Sequence, residues 1–240
     1  MNKIIPLLII LLTIPSFLRA ENFGIPAECE IIIDDFADGI KPGWITKSFK
    51  GITEYTWINE DGKSFIRATS NNTASGLIYR IEYDPRKYPY ITWNWKADNI
   101  IASGDATNKS RDDYSARIYI AFPSFFFWKS KLINYIWANK LPQNHVVPSP
   151  FTSDSIMISV ESGPANTGIW TTETRNIYED YIRFFGKKPS KVSAIAIMTD
   201  TDDTGESASA NYGPIAICSK DPRSLSENSK STTDKQETSK

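Results

Sequence analysis

Six charged side chains fall at outward positions of candidate β-strands and could form one charged row across a concave sheet. Strand alternation turns their apolar neighbours toward a core, so the charges point the other way. Arginine offers a planar fork of donors that suits carboxylates or vicinal hydroxyls. The pattern therefore predicts a binding face for a polar ligand. The six residues are Lys96, Asp113, Arg117, Glu161, Glu173 and Arg175.

Aromatic side chains near this row extend the same hypothesis. Tyr119 and Trp170 could each present a flat apolar face to a sugar ring. In this interpretation the two arginines donate hydrogen bonds to a glycan, and Asp113 and Glu173 orient them. The alternative is a salt-bridged sheet face with a structural role only. Because the arginines lie outward, their truncation is expected to change stability little.

The acidic turn at residues 200–205 is a candidate site for a metal ion. Oxygen ligands recur at alternate positions and glycine stands sixth, which is the opening spacing of a calcium loop. The twelfth position is Asn211 instead of the bidentate acid of an EF-hand, so a β-sandwich type of calcium site would rest on Asp200, Asp202 and Thr204. The favoured alternative is a solvated turn whose side chains bond the backbone.

Catalysis has little support in the residue types. His145 is the only histidine, which excludes a zinc site built on several histidines and leaves a Ser-His-acid triad dependent on this residue. A glycosidase needs two carboxyl groups at a set separation, which Asp113, Glu161 and Glu173 could supply. Nearby arginines are expected to lower the pKa of these acids, which disfavours a general acid. A hydrolase is therefore the alternative, and a non-catalytic domain the leading hypothesis.

The elements that must position these residues are short strands rich in Ile, Val, Tyr, Trp and Thr, separated by turn residues such as Asp61-Gly62. Their spacing predicts a mainly β protein, an antiparallel β-sandwich of the jelly-roll type with one or two short helices inserted. Ile118 and Ile120 are expected to face its core. The candidate strands are Cys29–Phe36, Ser64–Ser70, Gly76–Tyr83, Tyr90–Ala97, Tyr114–Phe122, Ser155–Glu161, Gly168–Asn176, Val192–Thr199 and Tyr212–Cys218.

Two segments have helical periodicity. Asn176 fits an N-cap and Gly186 a helix end, which predicts a helix from about Ile177 to Phe185. From Ser124 to Lys140, apolar residues repeat at intervals of three or four, which predicts an amphipathic helix. Such a helix could pack over one end of the sandwich. Alternatively, its aromatic and lysine side chains could dock on a membrane surface, which makes peripheral membrane binding a third hypothesis. The residues in contact would be Phe125, Phe126 and Trp128.

The N-terminal residues predict export. Lys3 is followed by an uncharged apolar run that is shorter than the ~20 residues needed to cross a bilayer. This pattern is typical of a secretory signal peptide over residues 1–20, cleaved near Ala20, and it predicts a periplasmic or secreted protein. Loss of Lys3 and Arg19 takes the formal net charge from −1 to −3, without the basic field that nucleic acid requires.

The two cysteines bracket the candidate strands. In an exported chain, Cys29 and Cys218 at these positions favour a disulfide, with two buried thiols as the alternative. One domain is expected over residues 21–218. Beyond it the chain is rich in Ser, Thr, Lys and Glu, so residues 219–240 are expected to form a disordered polar tail.

Several unusual strings occur in order along the chain: DDFADG at 34–39, WNWK at 93–96, DDYSARIY at 112–119, NYIW at 134–137 and MTDTD at 198–202. From about Ile32 to Ile217 the sequence resembles the bacterial exported family catalogued as domain of unknown function 3047, which implies a fold and almost no function. It is more distantly similar to galactose-binding-like jelly rolls of carbohydrate-binding modules. In those, the first and last strands are neighbours, which would bring the two cysteines together.

These observations together predict an exported, non-catalytic jelly-roll domain that binds a glycan or glycoconjugate of the cell envelope. No cofactor is expected other than calcium at the acidic turn.

Overall fold

The computed structural model describes residues 23–27, 29–124 and 130–224. Strands dominate this part of the chain, with one α-helix and a short 3-10 helix at Lys109–Arg111. The strands are β1 (Ile31–Asp34), β2 (Trp44–Lys50), β3 (Glu54–Glu60), β4 (Lys63–Asn71), β5 (Ala74–Tyr83), β6 (Tyr90–Ala97), β7 (Arg117–Phe122), β8 (Lys131–Ala138), β9 (Val146–Ser149), β10 (Thr152–Ser162), β11 (Thr171–Asn176), β12 (Val192–Asp200) and β13 (Ser207–Cys218), and the helix is α1 (Ile177–Phe185).

The strands form two sheets that pack face to face as a sandwich. Sheet A has the order β11-β6-β13-β4-β3, with β1 beside β13, and sheet B has the order β2-β5-β12-β7-β8-β10-β9. Neighbouring strands are antiparallel except for β8 and β10, which run parallel. The predicted fold class, a mainly β sandwich with an inserted helix, is confirmed.

The core between the sheets follows strand alternation. In β7, Ile118 and Ile120 face the core as predicted, whereas Arg117 and Tyr119 lie on the other face of sheet B. Large aromatic rings fill the centre, with Trp93 of β6 stacked on Tyr135 of β8 at 5.3 Å between ring centroids. Burial of such rings supplies much of the hydrophobic stabilisation of a sandwich.

The predicted helix at residues 177–185 is confirmed. The Asn176 side chain accepts a hydrogen bond from the backbone N–H of Glu179 at 3.0 Å, which caps the first turn. Gly186 ends the helix with a φ of +67°, a left-handed conformation that glycine adopts without steric cost. Tyr181 packs on Phe122 of β7, so the helix covers one end of the core. Within the described residues, no helix is both long and apolar enough to cross a membrane.

The helix predicted from Ser124 to Lys140 is wrong in its second half, where the chain forms strand β8. Both faces of β8 are buried: Ile133, Tyr135 and Trp137 face the main core, while Ile136 packs with a smaller cluster on the other side. A strand buried on both faces lacks the apolar-polar alternation by which strands are predicted. Residues 125–129, which include Phe125, Phe126 and Trp128, lie outside the described residues, so the membrane hypothesis stays a prediction.

Three further strands were not among the candidates. β2 and β3 are largely exposed edge or near-edge strands, and β9 is only four residues long. Their sequences therefore lack the apolar runs that mark a buried strand.

The predicted disulfide between Cys29 and Cys218 is confirmed. Strand β1 pairs with β13, with Ile31 opposite Ile217, and this pairing brings the two cysteines together. A disulfide is consistent with an extracellular or periplasmic location. Residues 1–20 and 225–240 lie outside the described residues, so the signal peptide and the disordered tail stay predictions.

Candidate functional site

The outer face of sheet B carries a groove with a volume of about 520 Å³, within the range of small-molecule sites. Its floor consists of small or apolar side chains from adjacent strands, which alternate with residues that face the core. On β12, for example, Ala194 and Ala196 lie in the groove, while Ile195 and Ile197 pack in the core. The rest of the floor includes Gly76 and Ile78 of β5, Ala121 of β7, Leu132 of β8 and Met157 of β10.

Aromatic side chains flank this floor. Phe49 at the end of β2 is 65% exposed, and Phe151 between β9 and β10 is 53% exposed. Tyr119 of β7 lies in the groove between them in the strand order of sheet B. Exposed rings beside an apolar floor form the kind of patch that usually binds another molecule.

Arg117 lies at one end of the groove in a buried charge network. Its side chain forms an ion pair with Asp200, and its Nη1 lies 3.8 Å from Asp112 Oδ2. Burial alone would lower the pKa of Arg117, but the carboxylates of Asp200 and Asp112 outweigh it, so the guanidinium stays charged. The ring of Tyr119 lies 5.2 Å from the guanidinium carbon. Although Arg117 lies outward from the core as predicted, only 5% of it is exposed.

Two residues that line the groove each have a buried side-chain polar atom without a hydrogen-bond partner in the described protein. One atom is Nε of Arg117, and the other is Oδ1 of Asn134, a residue of β8 that is 2% exposed. Asn134 Nδ2 donates to Ser155 Oγ at 3.0 Å, which fixes the amide in place. Buried polar groups are nearly always hydrogen-bonded, so these two atoms are exceptions, but both are shielded from solvent and are not contact points for a ligand in the groove.

The acidic turn lies at the same end of the groove. Carboxylate oxygens of Asp113, Asp200 and Asp202 lie within 4.8 Å of one another, and these three residues could hold a metal ion. Asp113 also accepts hydrogen bonds from the backbone N–H groups of Asp203 and Thr204, at 3.3 and 2.6 Å. Thr204 thus orders the turn through its backbone. Calcium binding by Asp200, Asp202 and Thr204 stays a prediction.

Other predicted ligand residues lie away from the groove, so the expectation of one charged row across one sheet is wrong. Lys96 and Trp170 belong to sheet A and its flank, with the Lys96 ammonium 5.4 Å from the Trp170 ring centroid. Trp170 also packs edge-on against Phe65. Alternation predicts which face of a strand a residue lies on, but it does not predict which strands share a sheet. Of the predicted ligand residues, the structure brings Arg117 and Tyr119 together in the groove, with Asp113 beside them.

Arg175 is bound within the protein. Its guanidinium forms a two-pronged ion pair with Asp180 of α1, at 2.8 Å from Nη2 to Oδ1 and 3.1 Å from Nε to Oδ2. Tyr135 donates its hydroxyl hydrogen to the same carboxylate at 2.7 Å. This network fastens the helix to the sandwich, which is a structural role.

Glu161 of β10 and Glu173 of β11 lie outside the groove, and the charge of Glu161 acts on Glu173. Burial, together with the charge of Glu161, raises the pKa of Glu173 to about 7. The expected lowering by an arginine is therefore wrong for Glu173, since Arg175 opposes the shift only weakly beside Asp180. Glu161 accepts a hydrogen bond from Asn166 at 3.0 Å. The hydrolase hypothesis stays a prediction.

The raised pKa of Glu173 predicts how stability depends on pH. Between about pH 4.5 and 7 the folded protein retains a proton on Glu173 that the unfolded chain releases, so stability falls as the pH rises through this window. We expect Glu173→Gln to match the wild type at pH 4 and to exceed it above pH 7, by at most ~3 kcal/mol. Urea unfolding across the pH range measures this difference. The exposed Glu54→Gln variant is the control, and a constant difference at all pH values would contradict the prediction.

Several groove residues were not predicted from sequence. Asn134 lies in the segment interpreted as a helix, and Phe49 and Phe151 lie in segments without a strand prediction. The alternation of Ala194 and Ala196 with large core residues was a usable signal, because small residues on an outward face leave room for a groove.

The fold and the groove define this protein as a β-sandwich with a ligand-sized groove on an outer sheet face. The chain belongs to the family described as protein of unknown function DUF3047, which it matches over residues 42–216. This finding confirms the resemblance drawn from its motifs. Among curated proteins, none matches the sequence.

Solved structures with similar folds include carbohydrate-active proteins. The chain is similar to a glycoside hydrolase domain of Endo-D from Streptococcus pneumoniae R6 (10% identity, TM-score 0.38, covering 74% of this chain and 22% of that one). It is also similar to a carbohydrate-binding module of the beta-sandwich superfamily (12% identity, TM-score 0.42, covering 79% and 61%). A third is the xyloglucanase domain of NopAA from Sinorhizobium fredii, in complex with cellobiose (9% identity, TM-score 0.42, covering 74% and 93%). The chain spans less than two thirds of the first two chains.

Proposed function

We propose that this domain works outside the cytoplasm and binds a glycan or glycoconjugate of the cell envelope in the groove of sheet B, without catalysis. The observation that carries the proposal is the groove itself, whose apolar floor is flanked by the rings of Phe49, Tyr119 and Phe151. The carboxylates of Asp202 and Asp203, which also line it, can accept hydrogen bonds from sugar hydroxyls.

The apolar surface of the groove supports the same ligand class. A sugar ring has C–H groups on its faces, and these pack against aromatic side chains, while its hydroxyls bond to polar groups. Here Tyr119, Phe49 and Phe151 line the same groove as the polar side chains of Asp202 and Asp203. The mixture of a few polar groups on a mainly apolar surface is typical of small-molecule sites.

The predicted export supports a ligand in the envelope. The Cys29–Cys218 disulfide is stable in an oxidising compartment, and the N-terminal residues have the pattern of a signal peptide. Glycans are abundant there.

A variant that fills the groove tests the proposal. We expect Ala196→Phe to weaken glycan binding by roughly tenfold or more, because the larger side chain occupies the floor on which the ligand packs. The measurement is a glycan array probed with the wild type and the variant, followed by isothermal titration with any glycan that is retained. Ala196 is partly exposed, so the variant should fold, which its thermal unfolding checks.

The matched control is Ala37→Phe, the same change at an exposed alanine that does not line the groove. It should bind like the wild type. Equal binding by Ala196→Phe and the wild type would place the ligand elsewhere, and the absence of any retained glycan would contradict the function itself.

A further inference from the structure

The groove on sheet B has a polar end that suits a sugar. The carboxylates of Asp202 and Asp203 lie there and form neither hydrogen bonds nor ion pairs with other described residues. Phe49 is near them, because the ammonium of the next residue, Lys50, donates to the backbone oxygen of Asp202 at 2.8 Å. An exposed ring beside hydrogen-bond acceptors can pack on the C–H face of a sugar whose hydroxyls donate to those acceptors.

The other end of the groove is apolar. Ala194 of β12, Ala121 of β7 and Leu132 of β8 lie side by side in the strand register and line this end. Asp200 and Ala194 are six residues apart on β12, which corresponds to about 20 Å along a strand. Ala196 lines the groove between them. The groove is therefore long, and its surface changes from polar to apolar along its length.

The polar side chains beside the apolar end form hydrogen bonds within the protein. Asn134 Nδ2 donates to Ser155 Oγ at 3.0 Å, and its Oδ1 is shielded from solvent. Ser149 Oγ accepts from the backbone N–H of Phe151 at 3.2 Å, and Thr152 Oγ1 accepts from the backbone N–H two residues later at 3.1 Å. A sugar ring here would lose hydrogen bonds with water that these side chains do not replace. An alkyl chain has no such bonds to lose, and it gains from every apolar contact because the hydrophobic effect has no preferred direction.

We propose that the ligand of this groove is a glycolipid, whose sugar head lies at Asp202 and Asp203 and whose alkyl chain lies on the floor at Ala196, Ala194 and Ala121. This inference rests on the proposed glycan-binding function and specifies the class of glycoconjugate. The head donates hydrogen bonds to the carboxylates, and the chain follows the groove away from them toward its apolar end. Polar and apolar parts of the ligand thus match those of the groove.

A series of glucosides that differ in chain length only tests the inference. Methyl, hexyl and octyl β-glucoside are titrated into the wild-type protein below their critical micelle concentrations. Because each buried methylene adds apolar contact, we expect the octyl glucoside to bind roughly a hundredfold more tightly than the methyl glucoside. An octyl chain with a tetraethylene glycol head lacks the row of hydroxyl donors and should bind about tenfold more weakly than octyl glucoside.

Variants that fill the apolar end locate the chain. Ala194→Phe should reduce the ratio of octyl to methyl glucoside affinity about tenfold, because the ring occupies the place of the chain. Ala121→Phe, opposite Ala194 in the register, is a second variant with the same expectation. Both alanines are partly exposed, and thermal unfolding checks that the variants fold. Ala37→Phe, at an exposed position outside the groove, is the matched control and should keep the wild-type ratio.

Each outcome has a distinct meaning. A gain with chain length that the two floor variants reduce supports the inference. If the array retains glycans but the octyl chain adds no affinity, or if its gain persists in both variants, the glycolipid inference fails and the glycan function stands. If the tetraethylene glycol compound binds as tightly as octyl glucoside, the groove selects the chain alone, and both proposals fail. Both also fail if no glycan is retained and no glucoside binds.

Discussion

Arg117→Ala is expected to destabilise the protein by about 3–5 kcal/mol, because it leaves the carboxylate of Asp200 buried without its partner. Asp200 is 2% exposed and lies close to the carboxylates of Asp113 and Asp202, so the loss of the guanidinium also leaves like charges facing one another. Urea unfolding measures the difference. The sequence-based expectation of a small effect assumed a solvated sheet face, and the structure instead places Arg117 in a buried network.

Two comparisons separate this mechanism from a general effect of removing an arginine. Arg86→Ala removes an exposed ion pair with Asp84 and should leave the unfolding midpoint unchanged. The double variant Arg117→Met with Asp200→Leu removes both charges and should regain much of the stability lost in Arg117→Ala. An Arg117→Ala protein as stable as the wild type would mean that Asp200 is adequately solvated without its partner.

This result has a practical consequence for binding studies. Loss of ligand binding in Arg117→Ala could follow from a disturbed fold, so that variant cannot test the ligand by itself. Ala196→Phe acts on the groove without breaking a buried pair, and it is the appropriate probe.

Removal of the disulfide is the second large effect. The bond between Cys29 and Cys218 closes a loop with a sequence separation of 189, and chain entropy gives such a loop about 5 kcal/mol of stabilisation as an upper figure. We expect Cys29→Ala with Cys218→Ala to lose a large part of this value, because the unfolded chain gains the conformations that the bond forbids. Urea unfolding of the variant and of the wild type gives the difference.

Reduction of the wild-type protein is the matched comparison, since it breaks the bond without changing any side-chain carbon atom. Reduced wild type and the double variant should unfold at similar urea concentrations. If both were as stable as the oxidised protein, the loop entropy would have to be offset by residual structure in the unfolded chain. Peptide mapping without reductant provides the chemical check that the two cysteines are linked.

Local signals predicted the parts of the fold that depend on local interactions. Helix α1 has its capping residues Asn176 and Gly186 in the sequence, and β7 alternates clearly between Ile118 or Ile120 and polar neighbours. Strand β8 was missed because tertiary contacts bury both of its faces. Alternation of apolar and polar residues marks a strand that is buried on one face. A strand that is buried on both faces lacks this alternation.

The candidate site was predicted only in part for a similar reason. Arg117 and Tyr119 were identified from one strand, but their partners come from distant parts of the chain. Asp200 reaches Arg117 because β12 and β7 pair, with Met198 opposite Arg117. The six charged candidates were assigned to one sheet, although five lie in strands of two sheets and Asp113 precedes β7 outside any strand. Alternation within a strand carries no information about which strand lies beside it.

The disulfide also determines how the domain would respond to a pulling force. Cys29 lies just before β1 and Cys218 ends the neighbouring strand β13, and nearly all of the described residues lie between them in sequence. If the chain were pulled from the residues before Cys29 and after Cys218, the sulfur–sulfur bond would carry the force. The strands between the two cysteines would not be stretched. The groove on sheet B would therefore keep its shape under load while the bond is intact, and reduction would turn the same domain into an extensible segment.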